Sequence, residues 1–223
     1  MTQSRVQSKK RTVSVLDLIT SWNLRGYPLE RHGDEVSVVM VGNDFTSADA
    51  WSQWLELIRI SRPEYALTSL VSTHIYEPHM RTARIQPDRE LSQLDLDLFE
   101  DFGFPQSLLS TADQLGVTVI GCGISVVEEE RAAVTIARGS QHYEYLPYYG
   151  LATQNGELVD TRKLSESYAL IERRTAHLIA RYEAVSSRPV VVGMWPRCAQ
   201  RLHECGELQK LGFGYVYIDQ VLY

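Results

Sequence analysis

Cysteine is scarce in this chain: Cys122, Cys198 and Cys205 are the three that its 223 residues contain. An odd count does not close into a paired framework, and their spacing matches no zinc signature, so reduced thiols in a cytoplasmic protein are the expectation. Long apolar runs are also missing. No stretch approaches the roughly 20 consecutive apolar residues that a membrane helix requires, which argues against a bilayer span. A strong charge of one sign is lacking too, since 22 basic residues stand against 28 acidic ones for a net charge of -6. Such a surface offers no general attraction for nucleic acid or anionic lipid, and neither is expected as a partner. With 14 glycines and 8 prolines the chain is no collagen-like or low-complexity polymer.

Phosphate-binding and nucleophile signatures are absent as well. The sequence has neither the GxxxxGKS/T loop nor the GxSxG elbow. Gly121-x-Gly123 lacks the third glycine, and the acidic residue about 20 positions on, that a dinucleotide fingerprint needs. No cofactor is expected.

What is present is the material of a core, because 44% of the residues are hydrophobic. Residues 1–12, MTQSRVQSKKRT, read as a short disordered basic tail. The following VSVLDLIT is broken by Asp17 and lacks the small-residue cleavage site of a signal peptide. Residues 13–223 read as a single α/β domain with a mostly parallel central sheet flanked by helices, because short apolar runs alternate with amphipathic helical patterns. Strands are expected at Val36–Val41, in YALTSLV over residues 65–71, in VTVIG over 117–121, in PVVVGMW and in GYVYIDQV. Helices are expected at residues 15–22, through Trp51, Trp54, Leu55 and Ile58 after a capping box of Thr46 and Asp49, from Gln106 to a stop at Gly116, and through ERAAVTIAR after Ser125. A long helix over Leu164–Val185 and one from Arg197 to Leu211, capped by Gly212, follow. The segment His74–Arg89 has no clean period and reads as loop with a short helix. Residues 139–161 form a Tyr-rich excursion, with a hairpin turn predicted at Asn155-Gly156 and a length that suits a lid or an interface.

In a sheet of this kind the loops after the strand carboxyl ends converge, so chemistry is sought there. Those positions are Asn43 and Asp44, Ser69, Gly121-Cys122-Gly123, and Trp195 with Arg197. Cys122 lies in a strand-to-helix turn where a thiol can serve as nucleophile, although a small buried thiol between two glycines is the commoner use. Cys198, Leu202 and Cys205 share one helical face and read as core, with His203 pointing away from it, so no Cys-His-Cys metal set is expected. His74, Glu77 and His79 are the most metal-like cluster, but their spacing is no recognised signature and Pro78 interrupts it, so no metal is assigned. Asp95, Asp97, Glu100 and Asp101 read as a solvated helical face. Tyr143, Tyr145, Tyr148 and Tyr149 read as packing for the excursion or as a stacking surface for a partner.

Two stretches carry a family likeness. In VVMVGNDFTSADAWSQWLELIRISRPEYALTSLV, Gly42, Ser47, Pro63 and Glu64 fall where the opening unit of the TraB/Tiki superfamily has its pattern, and the stretch resembles that unit. In IERRTAHLIARYEAVSSRPVVVGMWPRCAQRL, Glu172, Arg173 and Gly193 match the later unit of the same superfamily, which includes ChaN-like and erythromycin-esterase-like proteins. The resemblance implies an α/β scaffold. It also implies a lost activity: Phe45 and Pro196 stand where the two motif histidines fall, and Ser69 stands where the strand acid falls. In active relatives those polar residues are implicated in a metal-dependent hydrolytic site, and without imidazole at either strand end that chemistry has no ligands.

The expectation is a non-catalytic, divergent TraB/Tiki-like protein that binds a ligand, a protein or peptide partner, or a second copy of itself. The alternative is a hydrolase with a rebuilt, metal-independent site, in which Arg173 orients or neutralises an anionic group and Asp44 or Glu172 is general base. The pocket candidates under either reading are Asn43, Asp44, Ser69, Glu172, Arg173, Trp195 and Arg197.

Overall fold

A computed structural model describes residues 29–33, 35–43, 48–69, 74–78, 82–85, 106–123, 143–146, 151–154, 157–160 and 165–219. The predicted tail, the helices at 15–22 and after Ser125, the acidic run at 95–101, Asp44, Phe45, the cap residue Thr46 and His79 lie outside these residues. In chain order the elements are β1 (Leu29–His32), β2 (Val36–Gly42), α1 (Ala48–Ser61), β3 (Tyr65–Thr68), β4 (His74–Glu77), β5 (Thr82–Ile85), α2 (Gln106–Leu115) and β6 (Thr118–Gly121). They continue with β7 (Tyr143–Leu146), β8 (Leu151–Gln154), β9 (Glu157–Asp160), α3 (Ser165–Val185), β10 (Val190–Met194), α4 (Pro196–Glu204), α5 (Glu207–Lys210) and β11 (Gly214–Asp219).

Eight strands form one sheet in the order β1-β11-β2-β10-β3-β6-β4-β5. The five strands from β11 to β6 run parallel, while β1 pairs antiparallel with β11, and β4 pairs antiparallel with both β6 and β5. The mostly parallel α/β architecture read from the sequence is the one observed. Its cause is visible along the central strands, which are apolar on both faces because both are covered. Val39, Val41, Ala66, Val119, Val191 and Val216 meet Trp54, Leu55 and Ile58 of α1 and Leu108 and Ala112 of α2 on one side. Val38, Met40, Leu67, Ile120, Val190, Val192 and Tyr215 meet Ala176 and Ile179 of α3, Ala199 and Leu202 of α4, and Leu208 of α5 on the other. Alternate residues of a strand point to opposite faces, so each run feeds both layers.

One glycine is dictated by this packing. A Cβ on Gly193, in β10, would stand 2.5 Å from Cε2 of Trp54, whose indole is wholly buried against the strand.

Four elements depart from the sequence reading. The segment His74–Arg89 contains β4 and β5, and pairing with β6 supplies the order that a four-residue run is too short to announce by period. β1 is a polar strand, Leu-Glu-Arg-His, with no apolar run to mark it. The strand predicted over 65–71 closes at Thr68. The helix predicted from Arg197 to Leu211 is two helices, because Gly206 takes φ +70° and turns the chain between α4 and α5. In the Tyr-rich excursion β7, β8 and β9 make a second, antiparallel sheet in which Gln154 pairs with Glu157, and the turn predicted at Asn155-Gly156 lies outside the described residues.

Candidate functional site

Strand β10 lies between β2 and β3, which follow one another through α1; the chain leaves β2 past β10 to β3 and leaves β10 past β2 to β11, so the two connections run in opposite directions. Such a switch point at strand carboxyl ends is where an open α/β sheet makes its crevice. Here the strand ends are laced together. The Asn43 amide donates to the Met194 carbonyl at 2.7 Å, the Ser69 amide to the Gly193 carbonyl at 2.9 Å, and the Cys122 amide to the Thr68 carbonyl at 2.8 Å. The Ser69 hydroxyl accepts from the Trp195 amide at 2.7 Å. Asn43, fully buried, donates through Nδ2 to the Ala50 carbonyl at 3.0 Å and so ties the end of β2 to the first turn of α1. Gly123 is confined as well, since a Cβ there would lie 2.6 Å from the Ser69 carbonyl oxygen.

Beside this lacing lies a small cleft between α3 and α4 with room for about one water. Its floor is Cys122, Gly123 and Met194, and its walls include Glu172, Thr175, Cys198 and Arg201. The charged pair is the chemical centre. Arg201 Nε stands 3.3 Å from Glu172 Oε1, with side chains only 5% and 13% exposed. Burial pushes the Glu172 carboxyl up to about 7, against the downward pull of the Arg201 charge and its hydrogen bond. Arg201 also donates to the Cys198 thiol at 3.6 Å. The Cys205 thiol, which donates to the Leu202 carbonyl at 3.1 Å, is pushed upward by burial and stays protonated.

Of the residues singled out from the sequence, Asn43, Ser69 and Trp195 meet at the strand ends, and Glu172 lines the cleft. Arg173, the next residue of α3, points elsewhere: it is exposed, 3.8 Å from Glu207. Arg197 lies in the first turn of α4, whose N1 residue is Pro196. Glu64, a residue of the family likeness, accepts hydrogen bonds from both the amide and the hydroxyl of Ser187 and fastens the start of β3 to the turn before β10. That Ser187 hydroxyl holds the Glu64 carboxyl below its usual range.

Thr175 and Arg201 were not singled out. Thr175 follows Glu172 at helical i,i+3 spacing, and Arg201 follows Cys198 in the same way, so the face containing Cys198 already pointed to it. The cleft holds no metal-ligating set among the described residues; the one group of that kind lies at the sheet edge, on β1 and α4. No family model, no curated protein and no solved structure matches the chain.

Proposed function

We propose that the chain is a binding module, a non-catalytic divergent relative of the TraB/Tiki-like proteins, whose cleft between α3 and α4 takes a small anionic ligand. The observation that carries this reading is the Glu172–Arg201 pair: a guanidinium faces the cleft with an internal carboxylate as its partner. A ligand carboxylate or phosphate offers the guanidinium an anionic oxygen of the same kind and exchanges for Glu172 there. Glu172 then takes up a proton, which its raised affinity for protons makes inexpensive near neutral pH. The side chains at the strand ends support binding over hydrolysis. The Ser69 hydroxyl is engaged by the Trp195 amide, Asn43 Nδ2 by the Ala50 carbonyl, and Pro196 opens a helix where the resemblance places an imidazole.

The test is a thermal-shift panel of small carboxylates and phosphates at pH 6 and pH 8, with Arg201→Gln as control. Stabilisation that is larger at pH 6 and lost in Arg201→Gln supports the reading, whereas no response to any anion overturns it. The same Glu172 carboxyl favours a second reading, a metal-independent hydrolase, because a carboxylate titrating near 7 suits a general base. Ester or peptide hydrolysis by the purified chain that Glu172→Gln abolishes would establish that alternative.

A further inference from the structure

Glu30 and His32 are two apart on β1, so their side chains leave the strand on the same face. Across the antiparallel ladder they sit opposite Tyr217 and Tyr215. His203 reaches the same place from α4. Its ring stacks on Tyr217 with centroids 4.5 Å apart, and the His32 ring stacks on Tyr215 at 4.7 Å. One ligand-type atom from each of Glu30, His32 and His203 falls within 4.8 Å of the other two. Glu30 Oε2 is 3.1 Å from His203 Nε2 and 3.8 Å from His32 Nε2. The first contact is a hydrogen bond. The second is too long for one, and His32 Nε2 is shielded from solvent with no hydrogen-bond partner.

We propose that Glu30, His32 and His203 form a binding site for a divalent first-row transition ion, of which zinc fits best, with a further coordination position open to water. Two imidazoles and one carboxylate are a zinc-type donor set, whereas calcium and magnesium require oxygen donors. Tetrahedral zinc with bonds of about 2.0–2.2 Å holds its ligand atoms about 3.3–3.5 Å apart, and the two Glu30 distances straddle that range. An ion there satisfies His32 Nε2, which a single Glu30–His203 hydrogen bond leaves out. An outer layer is in place too. His203 Nδ1 lies 3.0 Å from the Tyr215 hydroxyl, which also accepts from Gln209 Nε2 at 2.6 Å. Donating Nδ1–H to that hydroxyl fixes the ring and leaves the Nε2 lone pair facing Glu30 and His32. Exposures of 61% for Glu30, 33% for His32 and 14% for His203 leave the solvent side for entry of the ion and for its water.

The experiment uses the full chain purified without a polyhistidine tag, stripped with chelator and titrated with zinc and with cobalt(II). The expected result is one zinc per chain by native mass spectrometry, a higher Tm on zinc addition, and a cobalt spectrum of a four- or five-coordinate site without a thiolate charge-transfer band. Glu30→Gln and His32→Gln each weaken zinc binding tenfold or more. Tyr215→Phe, which touches no ion, weakens it by about tenfold through His203. Failure to bind stoichiometric zinc at micromolar free metal overturns the site. So does binding unchanged in both Glu30→Gln and His32→Gln, or a thiolate band that moves the ion to the cysteines. Should His32→Gln fail to fold, the exposed Glu30→Gln decides the matter by itself.

Discussion

Replacing Gly193 with alanine tests the packing of the central strand. The added methyl would sit 2.5 Å from Cε2, 2.6 Å from Nε1 and 2.8 Å from Cζ2 of Trp54. Carbon atoms in good contact are about 3.5–4.0 Å apart, so about 1 Å of separation is missing. Little can yield: the indole is fully buried, every residue of β10 is buried, and the strand is held on both sides by β2 and β3. Overpacking of this kind costs about 1–3 kcal/mol, and in a domain of this size each kcal/mol lowers Tm by about 2–4 °C. The attribution to Trp54 is checked by a double-mutant cycle in urea unfolding. Trp54→Leu has its own cavity cost, up to about 5 kcal/mol, but it removes the ring that the methyl strikes. In that background alanine meets no indole, and its lower backbone entropy makes Gly193→Ala neutral to stabilising by up to about 1 kcal/mol. If alanine costs the same in both backgrounds, the steric account is wrong.

Three further outcomes are expected. In the folded state Glu172 keeps its proton to about pH 7, while the unfolded chain loses it near 4.5, so stability falls as pH rises through that interval. Glu172→Gln removes this slope, and urea titrations at pH 5 and pH 8 should find its stability relative to the natural chain improving by up to about 3 kcal/mol; an unchanged difference refutes the linkage. Ser69→Ala takes the hydroxyl acceptor from the Trp195 amide, costs about 1–3 kcal/mol, and speeds hydrogen exchange at that amide; unaltered exchange at Trp195 would refute it. Asn43→Asp sets a buried carboxylate oxygen against the Ala50 carbonyl in place of a donor, so a loss of at least about 2 kcal/mol at pH 7 should partly recover when the carboxyl is protonated in acid.

The alternation of apolar runs with helical stripes exposed the parallel centre of the fold because β2, β10 and β11 are buried on both faces and therefore continuously apolar. The margins were hidden for the opposite reason. β1 is half-exposed and polar, and β4 and β5 are four residues long, so neither hydrophobicity nor period marks them. Gly206 lies inside a helical pattern with no local mark that it adopts positive φ there, while Gly212, also at positive φ, closes the turn after α5. For the site, the strand ends were legible from topology, since Asn43, Ser69 and Trp195 follow strands that became neighbours. Arg201 and the edge cluster were not. Glu30 and His203 are 173 positions apart, and only the return of β11 alongside β2 brings α4 over β1. Nothing local in the sequence shows that His203 faces Glu30, Tyr215 and Tyr217.

Among the described residues the two outermost strands of the main sheet, β1 and β5, are both short and antiparallel. Behind β1 lies β11, six residues long, with Tyr215, Val216, Tyr217 and Ile218 all buried. Stripped of its neighbour, β11 would present a flat, weakly charged row of open amides and carbonyls, the template on which chains stack edge to edge. β1 occupies that row and turns Glu30 and Arg31 outward, placing charge of both signs where a foreign strand would have to dock. A four-residue segment thus covers the edge of β11, and loosening it is expected to expose that edge to pairing with another chain before the fold itself is lost.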